Sequence, residues 1–153
     1  MNPVLVKDNI IIPALVAIES YSEDAVDLVW KTGAAESSYK NIRQIGGGPA
    51  RSWFQMERAT HDDIWSNFLG SSRRMYLVDG LRDLSRWPGD FGEMENNPFY
   101  AAAMCRIHYL RVPERLPDKN SLVAQAHYWK EHYNTHLGKG TIGGFMEDVT
   151  AVL

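Results

Sequence analysis

The stretch from Asn97 to Val112 constrains the fold most, because both of its ends carry the marks of a helix. Pro98 suits the first turn of a helix, and Pro113 stops one at the residue before it. Apolar side chains recur between them at helical spacing, at Phe99, Ala102, Ala103, Ile107 and Leu110. The pattern predicts a helix that begins at Asn96 or Asn97, turns one apolar face toward a core and ends by Val112.

Six other segments also carry helical patterns: "NIIIPALVAIESY", "SEDAVDLVWKTGAAES", "RATHDDIWSNFLG", "RRMYLVDGLRDLSRW", "DKNSLVAQAHYWKEHYNT" and "TIGGFMEDVTAVL". Ser22 and Thr60 are candidate N-caps, whereas Gly80 weakens its segment. The segment "KNIRQIGGGPARSW" loses the period and reads as an irregular loop or a short hairpin-like excursion. The sequence therefore predicts one mainly α domain over residues 1–153, with an irregular region or a small β excursion near residues 40–55.

Composition supports a folded chain and argues against nucleic-acid binding. The hydrophobic fraction of 44% in 153 residues is enough for a real core. A net charge of −3 gives no electrostatic reason to expect a nucleic-acid partner. Cys105 is the one cysteine, so an internal disulfide is excluded. Because it lies in an apolar run, we expect Cys105 to be a small core residue.

The sequence carries no recognisable pattern for a membrane span, a phosphate site or a metal site. No run reaches the 18 or so apolar residues that a span needs, and no Sec signal is recognisable. The run "GGGPARSW" lacks the Lys-Ser or Lys-Thr of a phosphate loop. His132 and His136 share a helix face, yet no Glu follows His132 as in zinc proteases, so we expect polar surface residues. We predict neither a metal nor a cofactor.

Glu36 raises a separate question, because "TGAAESSYK" places it where an apolar-faced helix ends. Small residues flank it on both sides. One interpretation is a solvated glutamate in a last helical turn. The other is a carboxyl held at a rigid position for chemistry, and three segments of the chain favour it.

These segments together resemble lytic transglycosylases and related lysozyme-like enzymes. "AAESSYK" is similar to the Glu-Ser segment that ends their catalytic helix, "ARSWFQMERAT" to their Gly-Leu-Met-Gln-x-x-Pro-Ala-Thr segment, and "HYNTHLGKG" to their Tyr-Asn-Ala-Gly segment. The residues in register after Glu36 are Gln55, Ala59, Thr60, Tyr133, Asn134 and Gly138. Over nearly the whole chain, the sequence resembles small lysozyme-like proteins encoded by bacteriophages and prophages.

The resemblance implies a lysozyme-like fold and a peptidoglycan-cleaving enzyme acting on the MurNAc-GlcNAc bond. Glu36 would be the general acid and base, and Gln55 and Asn134 would orient the substrate by hydrogen bonds. Tyr133 and Trp53 would stack on sugar faces or fill the core. The remaining predicted contacts are Ser37 and Glu57 at the substrate, with Trp30, Tyr39 and Phe54 as candidate pocket walls.

Two departures from the family pattern bear on activity. Ser52 stands where the pattern prefers Gly, and we expect it to tighten the backbone near the cleft. Arg58 stands where the pattern prefers Pro, which removes a preset φ at a helix start. Glu57 has two interpretations, either a second carboxylate of a hydrolase or an acid at a helix start.

Other functional alternatives also stay open. The enzyme would be a transglycosylase, in which the muramic-acid 6-hydroxyl attacks, or a muramidase, in which water does. A rival class is a non-catalytic virion or tail component that keeps the fold as a structural or glycan-binding module. Without a recognised Sec signal, we expect delivery to the bacterial cell wall in a phage virion or from the host cytoplasm through a holin-type lesion. The expected partners are peptidoglycan strands and other virion proteins.

Overall fold

The computed structural model describes residues 2–153, which form eight helices and no strand. Helix α1 comprises Pro3–Val6, a π-helical turn Lys7–Ile11 and Ile12–Ala17; α2 is Glu23–Ser37; α3 is Arg58–Asp63, extended by a π-helical turn Ile64–Phe68. After a 3₁₀ turn, Ser72–Arg74, α4 is Met75–Leu84, α5 is Gly92–Asn96 and α6 is Pro98–Leu110. Helix α7 is Leu122–Trp129, extended by a π-helical turn Lys130–Asn134, and α8 is Ile142–Val152. The prediction of a mainly α chain is confirmed.

The chain between α2 and α3 is irregular, as expected from its glycines. Arg51 forms isolated antiparallel bridges with Arg43 and with Met56, and these bridges do not extend into strands. Gly46 and Gly47 have φ of +84° and +81°, a region that glycine enters without steric cost. The loop is therefore folded back on itself and held at Arg51.

Helix α6 is the centre of the fold. It packs against α1, α2, α4, α5 and the last turn of α7. From Tyr100 to Tyr109 every residue except Arg106 is buried, and Cys105 is fully buried, as predicted. The prediction of one apolar face is too narrow, because a helix enclosed by neighbours buries its whole circumference. Phe99, expected in the core, is instead 37% exposed at the helix start.

One of the two predicted N-caps is confirmed and the other is wrong. Ser22 caps α2 as expected, since its Oγ accepts a hydrogen bond from the Ala25 N–H at 3.0 Å. Thr60 is not an N-cap, because α3 begins earlier, at Arg58, with Glu57 in the cap position. The reason is local: Met56 is still paired with Arg51, and the helix starts directly after that pairing.

Gly80 is required where α4 crosses the end of α1. A Cβ at this position would overlap the Ala17 carbonyl oxygen and lie 2.7 Å from the Ile18 Cα. We expect Gly80→Ala to lower the free energy of unfolding by about 1–3 kcal/mol, as overpacking does, despite the better helix propensity of Ala. Urea denaturation measures this change.

Gly143→Ala is the matched control for that substitution. Gly143 lies in α8, and a Cβ there would meet nothing within 4 Å. It should raise the free energy of unfolding by up to about 1 kcal/mol, the helix-propensity gain of Ala over Gly. A Gly80→Ala variant that is as stable as Gly143→Ala would contradict the close α1–α4 contact.

Candidate active site

A groove with a cavity volume of about 600 Å³ opens beside the C-terminal end of α2. Its walls are the last turn of α2, the irregular loop, the end of α7, the loop after α7 and one face of α8. Five predicted site residues line it: Glu36, Gln55, Glu57, Tyr133 and Asn134. The fold thus brings together residues that are up to 98 positions apart in the sequence, from Glu36 to Asn134.

Glu36 is held in the wall of this groove by Trp129. The indole Nε1–H of Trp129 donates a hydrogen bond to Glu36 Oε1 at 3.0 Å. Burial raises the pKa of Glu36 from 4.5 to about 7, and the Trp129 hydrogen bond opposes that rise. A substantial fraction of Glu36 is therefore protonated near neutral pH, the state that a general acid needs.

Gln55 and Asn134 each keep one polar atom for a ligand. The Gln55 Nε2 donates to the Ser52 carbonyl at 2.7 Å, which leaves its Oε1 as an acceptor. Asn134 Oδ1 accepts from Lys130 Nζ at 2.7 Å, which leaves its Nδ2 as a donor. Lys130 Nζ also donates to the Thr135 carbonyl at 2.8 Å and so ties down the loop after α7.

Tyr133 serves the fold more than the groove. Its hydroxyl donates to the Phe54 carbonyl at 2.6 Å, and its ring stacks on Tyr109 with centroids 5.2 Å apart. Of the two predicted roles, core filling fits these contacts better than stacking on a sugar. The Tyr133 hydroxyl also fastens the irregular loop to α7, which places Gln55 across from Asn134.

The structure does not place Ser37 or Trp53 on the groove. Ser37 is buried, and its Oγ donates to the Gly33 carbonyl at 3.1 Å and accepts from the Tyr39 N–H at 3.2 Å. Its one hydroxyl is used to end α2, so the predicted contact with substrate stays a prediction that the groove lining does not support. Trp53 packs edge-on against Tyr39, 5.5 Å between centroids, and lines a separate small pocket. Of the two roles predicted for Trp53, packing against the core fits these contacts better than stacking on a sugar.

The expected pocket walls are also misplaced. Tyr39 and Phe54 are buried in the core, and the Trp30 Nε1–H, from the middle of α2, donates to the Pro3 carbonyl of α1. The apolar wall beside Glu36 is formed instead by Trp129 and Phe145, whose rings lie 5.0 Å apart. Those two residues come from α7 and α8, which sequence spacing alone does not connect to Glu36.

Ser52, expected to tighten the backbone near the cleft, does not line the groove. It has φ of +72°, the left-handed region that favours glycine, and it is buried away from the groove. Its Oγ accepts a hydrogen bond from the Phe54 N–H at 3.0 Å. The positive φ is a backbone conformation that Gly adopts without steric cost, and the Ser52 hydroxyl is used in a local hydrogen bond.

Sequence reasoning missed Trp129 and Asp148. Asp148 lines the groove from α8, and burial together with the neighbouring Glu147 charge raises its pKa. Trp129 and Tyr133 are four residues apart, a spacing that places both on one helix face. That spacing was the available signal for Trp129, whereas nothing in the sequence singles out Asp148.

The histidines of the last helices lie outside the groove lining. His132 Nε2 is 3.2 Å from Glu114 Oε2 and 3.8 Å from Glu131 Oε2, and His136 is exposed. Polar surface contacts of this kind agree with the predicted role. Among residues 2–153, no helix is long and apolar enough to cross a membrane.

Comparison with known proteins identifies no relative. No family model, no curated protein and no solved structure matches the chain.

Proposed function

We propose that this chain is a peptidoglycan-cleaving enzyme, a lytic transglycosylase or muramidase, with Glu36 as general acid and base. The observation that carries the proposal is the Glu36 carboxyl, which burial holds at a pKa of about 7 in the wall of an open groove. Buried acids with raised pKa values cluster at catalytic sites. The resemblance of the Glu36, Gln55 and Asn134 segments to lysozyme-like enzymes supports the same assignment.

The chemistry requires two proton transfers through one carboxyl. The protonated Glu36 donates to the oxygen of the glycosidic bond as that bond breaks, so the leaving sugar departs as a neutral alcohol. The resulting carboxylate then removes a proton from the attacking group, which is the muramic-acid 6-hydroxyl in transglycosylation or water in hydrolysis. Gln55 Oε1 and Asn134 Nδ2 are the acceptor and the donor that orient the sugars.

Two further acids bear on the choice between these reactions. Hydrolases of the common types use a second carboxylate, as nucleophile or as base for water. Glu57 and Asp148 both line the groove and are the candidates for that role. A transglycosylase needs neither of them, because its nucleophile belongs to the substrate.

The biological setting belongs to the same proposal. A lysozyme-like domain of this kind, encoded by a phage, would open the cell wall during entry or lysis. Mass spectrometry of purified virions separates the two routes, since a lysis enzyme is absent from particles. In that setting, a chain that binds glycan strands without cleaving them would be a structural module of the virion.

We expect the purified chain to release soluble fragments from peptidoglycan, with kcat/KM that falls above pH 7. The reason is that Glu36 must be protonated, and its protonated fraction drops about tenfold for each pH unit above its pKa of about 7. Turbidity loss of purified peptidoglycan between pH 5 and 9 measures the profile. Anhydro-muropeptides among the products indicate transglycosylation, and reducing ends indicate hydrolysis. A chain without activity at any pH would leave the alternative of a non-catalytic structural or glycan-binding module.

A further inference from the structure

The hydrogen bond between Trp129 and Glu36 has a chemical direction. An indole N–H can donate but cannot accept. The oxygen that accepts from it, Glu36 Oε1, therefore cannot carry the proton toward Trp129 when the carboxyl is neutral. Within residues 2–153 the other oxygen, Oε2, has no hydrogen-bond partner, and it is not among the buried unpaired atoms. Oε2 is thus open to the groove.

We infer that Trp129 is a positioning residue: it fixes Oε1 as an acceptor, so that the proton Glu36 transfers is carried by Oε2. This inference rests on the proposed function for its catalytic meaning, but the hydrogen-bond arrangement can be tested without any activity. Two observations on Trp129 support the inference. Trp129 is 3% exposed, and its ring packs against Phe145, so the indole has little room to turn away.

The hydrogen bond from Trp129 also affects how readily Glu36 gives up its proton. A hydrogen bond to a carboxylate is stronger than one to a neutral carboxyl, so Trp129 favours the ionised form that follows proton donation. Without it, Glu36 would still be protonated but would give up its proton less readily. Trp129 therefore lets a buried acid ionise near neutral pH while its proton stays on the oxygen that faces the groove.

Six other titratable or charged groups lie around Glu36. Cys105 and Tyr109 on α6 and Tyr133 on α7 lie near enough for the Glu36 charge to raise their pKa values. The groove adds Glu57 from the loop, Lys139 from the segment after α7 and Asp148 from α8. None of these six donates a hydrogen bond to Glu36 within the described chain, so Trp129 alone supplies a donor there.

The test is Trp129→Phe, which removes the donor and keeps an aromatic ring. We expect the Glu36 pKa to rise by about one to two units, the range that a hydrogen bond to a charged group represents. The readout is the NMR titration of the side-chain carboxyl carbon, assigned by its absence in Glu36→Gln. Phe145→Leu is the control, because it disturbs the same packing without removing a donor, and it should move the pKa by less than about half a unit.

A second measurement covers the case in which Trp129→Phe does not fold. In the wild-type chain, one of the five indole N–H resonances should titrate with a midpoint near pH 7, and Glu36→Gln should abolish that titration. An unchanged or lowered Glu36 pKa in Trp129→Phe, or no indole signal that follows Glu36, would overturn the inference. If these signals behave as expected and the chain cleaves no glycan, the positioning by Trp129 stands and the proposed function fails.

Discussion

Glu36→Gln should reduce peptidoglycan cleavage by about 10²- to 10⁴-fold, at the upper end of that range, while the fold and glycan binding are kept. Gln has the size of Glu and can still accept from the Trp129 N–H, but it has no proton to donate. General acid–base catalysis by one group supplies rate factors of this order. Release of soluble muropeptides measures the loss, and binding of the variant to insoluble peptidoglycan shows whether the groove is intact.

The other two acids of the groove are the matched controls. Glu57→Gln and Asp148→Asn each remove one carboxylate from the same groove without touching the Trp129–Glu36 contact. In a transglycosylase both variants should keep activity within about tenfold, since no second carboxylate takes part in bond cleavage. In a hydrolase, one of the two variants should lose nearly as much cleavage activity as Glu36→Gln does. Wild-type activity in Glu36→Gln would remove Glu36 from the mechanism.

Part of this site could be predicted from the sequence, because its signals are local. Glu36 lies in the last turn of an apolar-faced helix, and the segments that hold Gln55 and Asn134 follow in the order of the lysozyme-like pattern that they resemble. Trp129 could not be connected to Glu36 in the same way. The two are 93 positions apart, and their contact depends on how the end of α7 packs beside the last turn of α2. Helical spacing tells which residues share a face but not which other helix that face meets.

The fold shows the same limit. The prolines bounded α6 correctly, yet its pattern did not reveal a central helix buried all round. Gly80 looked like a weak point in α4, whereas the contact with Ala17 explains why a side chain is excluded there. Trp53 stands two residues before Gln55 in the sequence and still faces a different pocket, because Ser52 and Gln55 both have positive φ and turn the chain between them. Backbone turns of this kind decide which side chains reach the groove.

Glu36→Gln should also stabilise the folded chain at alkaline pH, in contrast to its effect on activity. Burial raises the folded-state pKa of Glu36 to about 7, above its ordinary value of 4.5. The folded chain then binds this proton more tightly than the unfolded chain does, so the free energy of unfolding falls as pH rises from 4.5 through 7. Above that window, the shift of about 2.5 units corresponds to a cost of about 3 kcal/mol. Gln does not ionise and avoids this cost.

The measurement is urea denaturation of wild type and Glu36→Gln at pH 4 and pH 8. Relative to wild type, the variant should gain about 2–3 kcal/mol more in free energy of unfolding at pH 8 than at pH 4. Any pH-independent effect of the amide cancels in this difference. Glu57→Gln is the control, because it removes an exposed carboxyl, and the free energy of unfolding should change by less than about 0.5 kcal/mol at both pH values. An equal effect of Glu36→Gln at both pH values would mean that Glu36 is not strongly desolvated. It would then lack the raised pKa on which the proposed role as a general acid depends. A buried carboxyl in a groove that destabilises the fold at alkaline pH fits the proposed function, because catalytic residues often reduce stability.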